Sequence, residues 1–274
     1  MKALFIGVFL LCNLHVSAQD VSDEQKAQEI VERFIAESGG RVAWSKVKDY
    51  YSTQSIERFT HPQTLSAIKR TKTIEKVESF IKEPWKILTK TSGFNYETIS
   101  SISPTGIWKA QDGAIINHQP HVNPTINNYM LDMHSMPFFF SNAEEHGLEY
   151  TFEGAKQLYD ETLVCIEVSS MAGITKKFYF NEESGLLRAV SHHQETNITW
   201  YRQYEKIDTS IGTVVLPRVS ERFVNGHLAY KSTIGTIAYN TNIPDYLFEI
   251  TIMEKPSLIE AVSFRAENRN SEED

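Results

Sequence analysis

The chain has 274 residues, 41% hydrophobic, 11% aromatic and 23% charged, with a formal net charge of −8. That apolar content excludes a chain too polar to pack, and the length supports one large β-rich domain or two small ones. An acidic balance without a basic stripe argues against nucleic acid as a partner.

In chain order, Lys2 precedes the apolar run 3–12, which is too short to span a bilayer. Val16-Ser17-Ala18 then places small residues where a signal peptidase reads. The prediction is a signal peptide at 1–18, a single domain at 19–266 and an acidic polar tail at 267–274. An uncleaved N-terminal anchor is the alternative. Leu10 and Leu11 before Cys12 argue against a lipidated cysteine, and no later run is long enough for a transmembrane span. Past residue 18 only Cys165 remains, so an internal disulfide is impossible. Its apolar flanks predict a buried, inert thiol on a strand.

The first element of the mature chain is a helix. Ser22 with Gln25 forms a capping-box pattern, and Asp23 and Glu24 favour the first turn. Ala27, Ile30, Val31, Phe34 and Ile35 share one face, and Gly39-Gly40 end it. Residues 41–48 predict a short second helix or a turn. Strand patterns then run over 50–60, 65–77, 85–91, 96–102, 106–110 and 113–116. A second set covers 148–158, 163–169, 174–180, 186–194, 198–207, 214–224 and 227–238, with turn signals between them. Regular spacing of this kind predicts one continuous antiparallel meander. Between the sets, 125–136 predicts a helix broken at Pro137 for want of an N–H.

No nucleophile elbow, phosphate loop or dinucleotide fingerprint is present. His118 and His121 are separated by Pro120, and His192 and His193 point to opposite faces of a strand, so neither pair predicts a metal site. No cofactor is expected. A pair of carboxylates suited to glycoside hydrolysis is a matter of spacing in three dimensions and stays open. The remaining feature is apolar: Met130, Met133, Met136, Phe138 and Phe140 make a deformable surface, either a binding lining or ordinary core beneath a sheet.

The order of these pieces resembles the LolA-like family of periplasmic lipoprotein carriers. The resemblance runs through the exported helix with its Gly-Gly stop, the stretch Gly106-Ile107-Trp108-Lys109-Ala110-Gln111-Asp112-Gly113, and the hairpin from Lys177 to Leu187. Tyr204 to Asp208, Val215-Leu216-Pro217 and the closing Asn242-Ile243-Pro244-Asp245-Tyr246-Leu247-Phe248 continue it. It implies a mainly β (α+β) fold: a curved antiparallel incomplete barrel wrapped around an N-terminal helix and a mid-chain helix, with an apolar cavity. It further implies an exported, soluble, non-catalytic binder or carrier of lipid or lipoprotein acyl chains, in the periplasm of a Gram-negative bacterium or secreted. Met130, Met133, Met136, Phe138, Phe139, Phe140 and Trp108 are the expected lining. The alternatives are an interaction module with an envelope protein partner and, behind it, an envelope glycan hydrolase.

Overall fold

The computed structural model describes residues 22–60, 71–83, 86–104, 106–120, 137–141, 147–170, 173–192 and 196–249. Helix α1 spans Asp23–Glu37, and the capping box forms as its residues dictate. Gln25 N donates to Ser22 Oγ at 3.2 Å, and Ser22 N donates to Gln25 Oε1 at 3.1 Å. Ala27, Val31, Phe34 and Ile35 are buried on one face. The helix stops where Gly39 adopts φ +128°. A Cβ there would also stand 3.0 Å from the Thr213 carbonyl oxygen, so only glycine lets the chain pass this close to the sheet. Helix α2 (Arg41–Trp44) follows at once.

Thirteen strands form one antiparallel sheet among the described residues. They are β1 Asp49–Thr60, β2 Thr71–Lys82, β3 Lys86–Ser92, β4 Glu97–Ser103, β5 Gly106–Gln111 and β6 Ala114–Pro120. After α3 (Pro137–Ser141) come β7 Leu148–Leu158, β8 Glu161–Ser170, β9 Thr175–Phe180, β10 Leu187–His192, β11 Asn197–Thr209, β12 Gly212–Val224 and β13 His227–Tyr239. The spatial order is β6-β5-β4-β3-β2-β1-β13-β12-β11-β10-β9-β8-β7. The sheet is therefore not one continuous meander as expected, but two. Each half is a meander, and the halves join where β1 pairs with β13, while β6 and β7, neighbours in sequence, stand at opposite edges. Short turns hold hairpin partners together, whereas the long connection from Pro120 to Leu148 imposes no such pairing. The result is a curved, incomplete barrel.

The expected helix at 125–136 lies outside the described residues. Pro137 itself is the first residue of α3. Proline fits the first helical position, where its missing N–H has no intrahelical partner to lose.

Strand alternation gives the sheet two faces with separate cores. Tyr50, Ile81 and Ile87 are register partners on one face; Tyr51, Phe80, Leu88, Ser101 and Trp108 are register partners on the other. The first face carries the main core, in which α1, α2 and α3 pack with Tyr50, Tyr150, Ile166, Phe178, Phe180, Val190 and Tyr239. The second holds two smaller clusters. Cys165 is fully buried in one of them, with Tyr179 and Trp200, and is not in a disulfide among the described residues.

The other cluster is closed by the arm that leaves β13. Lys82 donates to the Ile243 carbonyl at 2.7 Å, and Leu247 and Phe248, in a 3-10 turn over Asp245–Phe248, pack on Tyr51, Phe80 and Leu88. Ser101 Oγ and Trp108 Nε1 both donate to the Phe248 carbonyl, at 2.9 and 3.0 Å. The arm is anchored at its root by buried Asp49, which accepts from Thr241 N, Thr241 Oγ1 and Asn242 N at 2.6, 3.0 and 3.0 Å. Asp49→Ala should lower stability by about 2–3 kcal/mol, because it strands two backbone donors, and Asp49→Asn should lower it less. Urea unfolding of the two variants checks this.

Candidate functional site

The three phenylalanines predicted as site residues sit in α3, and all three are buried. Arg41 of α2 fixes α3 from its C-terminal end, donating to the Ser141 carbonyl at 2.7 Å while also pairing with Glu32 of α1. A cation belongs at that end, where carbonyls lack partners. Phe140 meets Phe34 edge-on at 5.7 Å and Phe178 at 5.4 Å, and Phe34 in turn meets Phe180 at 5.5 Å. Phe138 stacks at 4.2 Å with Phe139 and faces Tyr50 at 6.3 Å. Such offset and edge-on rings add to what area burial alone contributes.

The structure does not bring Trp108 to this cluster. Trp108 lies on the opposite face of the sheet, where its indole N–H holds the C-terminal arm. Met130, Met133 and Met136 lie outside the described residues.

Polar groups border the aromatic cluster. Trp44 Nε1 and the hydroxyls of Tyr50, Tyr150 and Tyr239 are buried without a hydrogen-bond partner among the described residues. Burial pushes the Tyr50 hydroxyl up to about 12; Ser52, two residues along β1, opposes the rise, although its Oγ does not reach hydrogen-bonding geometry. Burial likewise raises Tyr150 and Tyr239.

One side of α1 opens a groove that sequence reading did not single out. Its volume is about 320 Å³, and Ile30, Phe152, Val164 and Phe180 supply its apolar walls. Lys26, Glu29, Arg33, Asn181 and Glu182 also line it. Lys26 Nζ stands 5.7 Å over the Phe152 ring, and Arg33 donates to the Glu183 carbonyl at 2.7 Å. Gly185, at φ +69°, makes room for Arg33: a Cβ there would lie 2.9 Å from Arg33 Cγ. Phe180 is shared, because the ring that lines the groove also packs on Phe34 in the core. The groove and the α3 phenylalanines are thus joined through Phe180, Phe34 and Phe140. The signal for the groove was present in part: Ile30 extends the apolar face of α1. Nothing in the sequence shows that this face meets β7–β9.

Among the described residues, no group of three His, Cys, Asp or Glu side chains is arranged to hold a metal ion, and no helix is long and apolar enough to cross a membrane.

The fold is LolA-like. The chain is similar to the crystal structure of a DUF1329 family protein from Desulfovibrio piger, with TM-score 0.53 and 9% identity over 85% of this chain and all of that one. It is also similar to a domain from Vibrio parahaemolyticus described as that of an outer membrane lipoprotein-sorting protein, with TM-score 0.50 and 7% identity over 85% of this chain and all of that one. A LolA superfamily protein from Nitrosomonas europaea gives TM-score 0.50 and 9% identity, over 81% of this chain and 97% of that one. No protein-family model and no curated protein matches the sequence.

Proposed function

Starting from a LolA-like fold, we propose that this protein is an exported, non-catalytic binder or carrier of the acyl chains of lipids or lipoproteins, acting in the periplasm. The observation that carries this reading is the groove beside α1, whose apolar wall continues through Phe180 and Phe34 to the α3 phenylalanines. At about 320 Å³ it falls at the small end of ligand sites, enough for part of one chain. Each buried methylene contributes about 0.8 kcal/mol, so ten give about 8 kcal/mol, comparable to micromolar binding before ordering costs. Affinity of that order holds a chain in water and still permits handover. Phe138, Phe139 and Phe140 would line or gate the inner end. The same role for Met130, Met133 and Met136 rests on the sequence.

The delipidated protein should bind a fluorescent acyl probe, and Ile30→Asp should weaken binding at least tenfold while leaving the circular dichroism spectrum unchanged. A well-folded sample that binds no probe ends the proposal.

A second reading, a module that docks a protein partner, has one observation in its favour. At the tip of the β3–β4 hairpin Phe94 is 96% exposed, and Ile115 and Ile116 are half-exposed on β6. The β3–β4 and β5–β6 tips are bound to each other, with Glu97 N donating to Asp112 Oδ1 at 2.8 Å and Asp112 N to the Glu97 carbonyl at 2.9 Å. In this reading the groove stays empty and the probe does not bind.

A further inference from the structure

We infer that the helix-bearing core is built to receive an acyl carbonyl, ester or amide, held by Trp44, Tyr50 and Tyr239 as hydrogen-bond donors; this rests on the acyl-binding reading above. Three donors without partners lie in one continuous patch. The Trp44 ring meets Tyr239 at 5.8 Å, Tyr239 meets Tyr50 at 5.3 Å, and Tyr50 meets Phe138 at 6.3 Å. Buried Tyr and Trp polar atoms in folded proteins nearly always find a partner. An indole N–H can only donate, so Trp44 requires an acceptor. Among the described residues no acceptor reaches hydrogen-bonding geometry with Trp44 Nε1 or with the hydroxyls of Tyr50 and Tyr239, although Ser52 acts on Tyr50 from along the same strand.

The chemistry of the patch selects the class of ligand. Its donors are neutral, and burial keeps the two hydroxyls protonated well past neutral pH. Lys48, Asp49, Lys82 and Glu83 line the crevice beside Tyr50, two cations against two carboxylates, so the patch offers no net countercharge for a buried carboxylate or phosphate. Bare hydrocarbon would leave all three donors unpartnered. A carbonyl at the head of an acyl chain meets both demands: it is an uncharged acceptor joined to an apolar tail, its two lone pairs take two of the three donors, and a tyrosine hydroxyl so engaged can itself accept from the third. Phe138 now fills the space beside Tyr50, leaving a crevice of about 10 Å³ that Tyr50, Ile81 and Phe138 help to line. The incoming carbonyl takes the place of that ring.

The test uses the full, delipidated protein and displacement of a fluorescent acyl probe by three competitors with matched chains. One is a diester phosphatidylcholine, one its diether counterpart, which lacks carbonyls, and one an N-acyl sphingomyelin. The ester or the amide should displace the probe at concentrations at least tenfold lower than the ether, and which of the two does so identifies the source of the carbonyl. In the double variant Tyr50→Phe/Tyr239→Phe the preference should fall to about one, with ether binding unchanged. Because these hydroxyls have no partner in the ligand-free protein, the double variant should also melt no lower than the parent. Equal displacement by ester, amide and ether overturns the inference while leaving acyl binding intact. So does a preference that survives in the double variant, a lowered melting temperature, or a crystal structure of the lipid complex with only water on these atoms. Failure of every lipid to bind removes the acyl-binding reading and this inference with it, a result distinct from equal binding.

Discussion

Phe34→Ala should cost about 3–5 kcal/mol. Phe34 is 1% exposed and belongs to α1, yet its ring partners come from two other elements: Phe140 on α3 and Phe180 on β9. Removing the ring forfeits the burial of its own carbons and leaves a hole bordered by two large, rigid rings that cannot close over it. A domain of this kind has about 5–15 kcal/mol in total, so the variant should be close to unfolding at physiological temperature. Phe34→Leu, which keeps most of the volume, should cost less than about 1.5 kcal/mol. Urea denaturation of the pair checks both values. A loss below about 1 kcal/mol for alanine would mean that the three-element aromatic contact is not formed.

The second large effect is alkaline unfolding. Tyr50, Tyr150, Tyr204 and Tyr239 all have hydroxyl pKa values raised chiefly by burial. In the unfolded chain each titrates near 10, and in the folded protein each holds its proton to higher pH. Their contribution to stability is therefore complete below about pH 10 and is lost as pH rises from there through the folded values. Each tyrosine removes roughly 1.4 kcal/mol per pH unit across its window, so four together remove roughly 5 kcal/mol per unit. Stability should be nearly flat from neutral pH to about 9 and should collapse within one to two units above 10. Near-ultraviolet absorbance of tyrosinate should rise in step with loss of circular dichroism. Gradual ionisation ahead of unfolding would contradict the burial of these hydroxyls. The variant Tyr50→Phe/Tyr150→Phe/Tyr239→Phe should unfold at higher pH than the parent.

Local structure was legible wherever one residue type has one physical use. Ser22 and Gln25 marked the start of α1, the spacing of Ala27, Val31, Phe34 and Ile35 marked its buried face, and Gly39 marked its end. The strands from β7 to β13 were also recognisable, because β-branched and aromatic runs alternate with turn residues. That Pro137 opens α3 was not legible, because proline serves both as a helix breaker and as a first helical residue, and only the chain on either side decides. Trp108 shows a different limit. Alternation in Gly106-Ile107-Trp108-Lys109-Ala110 separates two faces of β5 but does not say which of them carries the helices. That is decided by the pairing of β1 with β13 and by where the C-terminal arm runs, both of which join residues far apart in sequence. The groove beside α1 and the partnerless donors around Tyr239 were hidden for the same reason, since each is a property of several elements meeting.

The β1–β13 pairing also shapes how the molecule is assembled. Both meanders consist of hairpins between sequence neighbours and can form quickly from local contacts. The seam that unites them matches Tyr50 with Tyr239, nearly the full length of the described chain apart. The entropic cost of closing so large a loop grows only slowly with its length, but the search for it is slow. Until the seam zips, β1 and β13 are both open edges, and an open edge will pair with any strand that offers itself, including that of another molecule. Refolding yield should therefore depend on protein concentration through this one seam, and a newly made chain is most in need of protection between completion of β13 and its docking on β1.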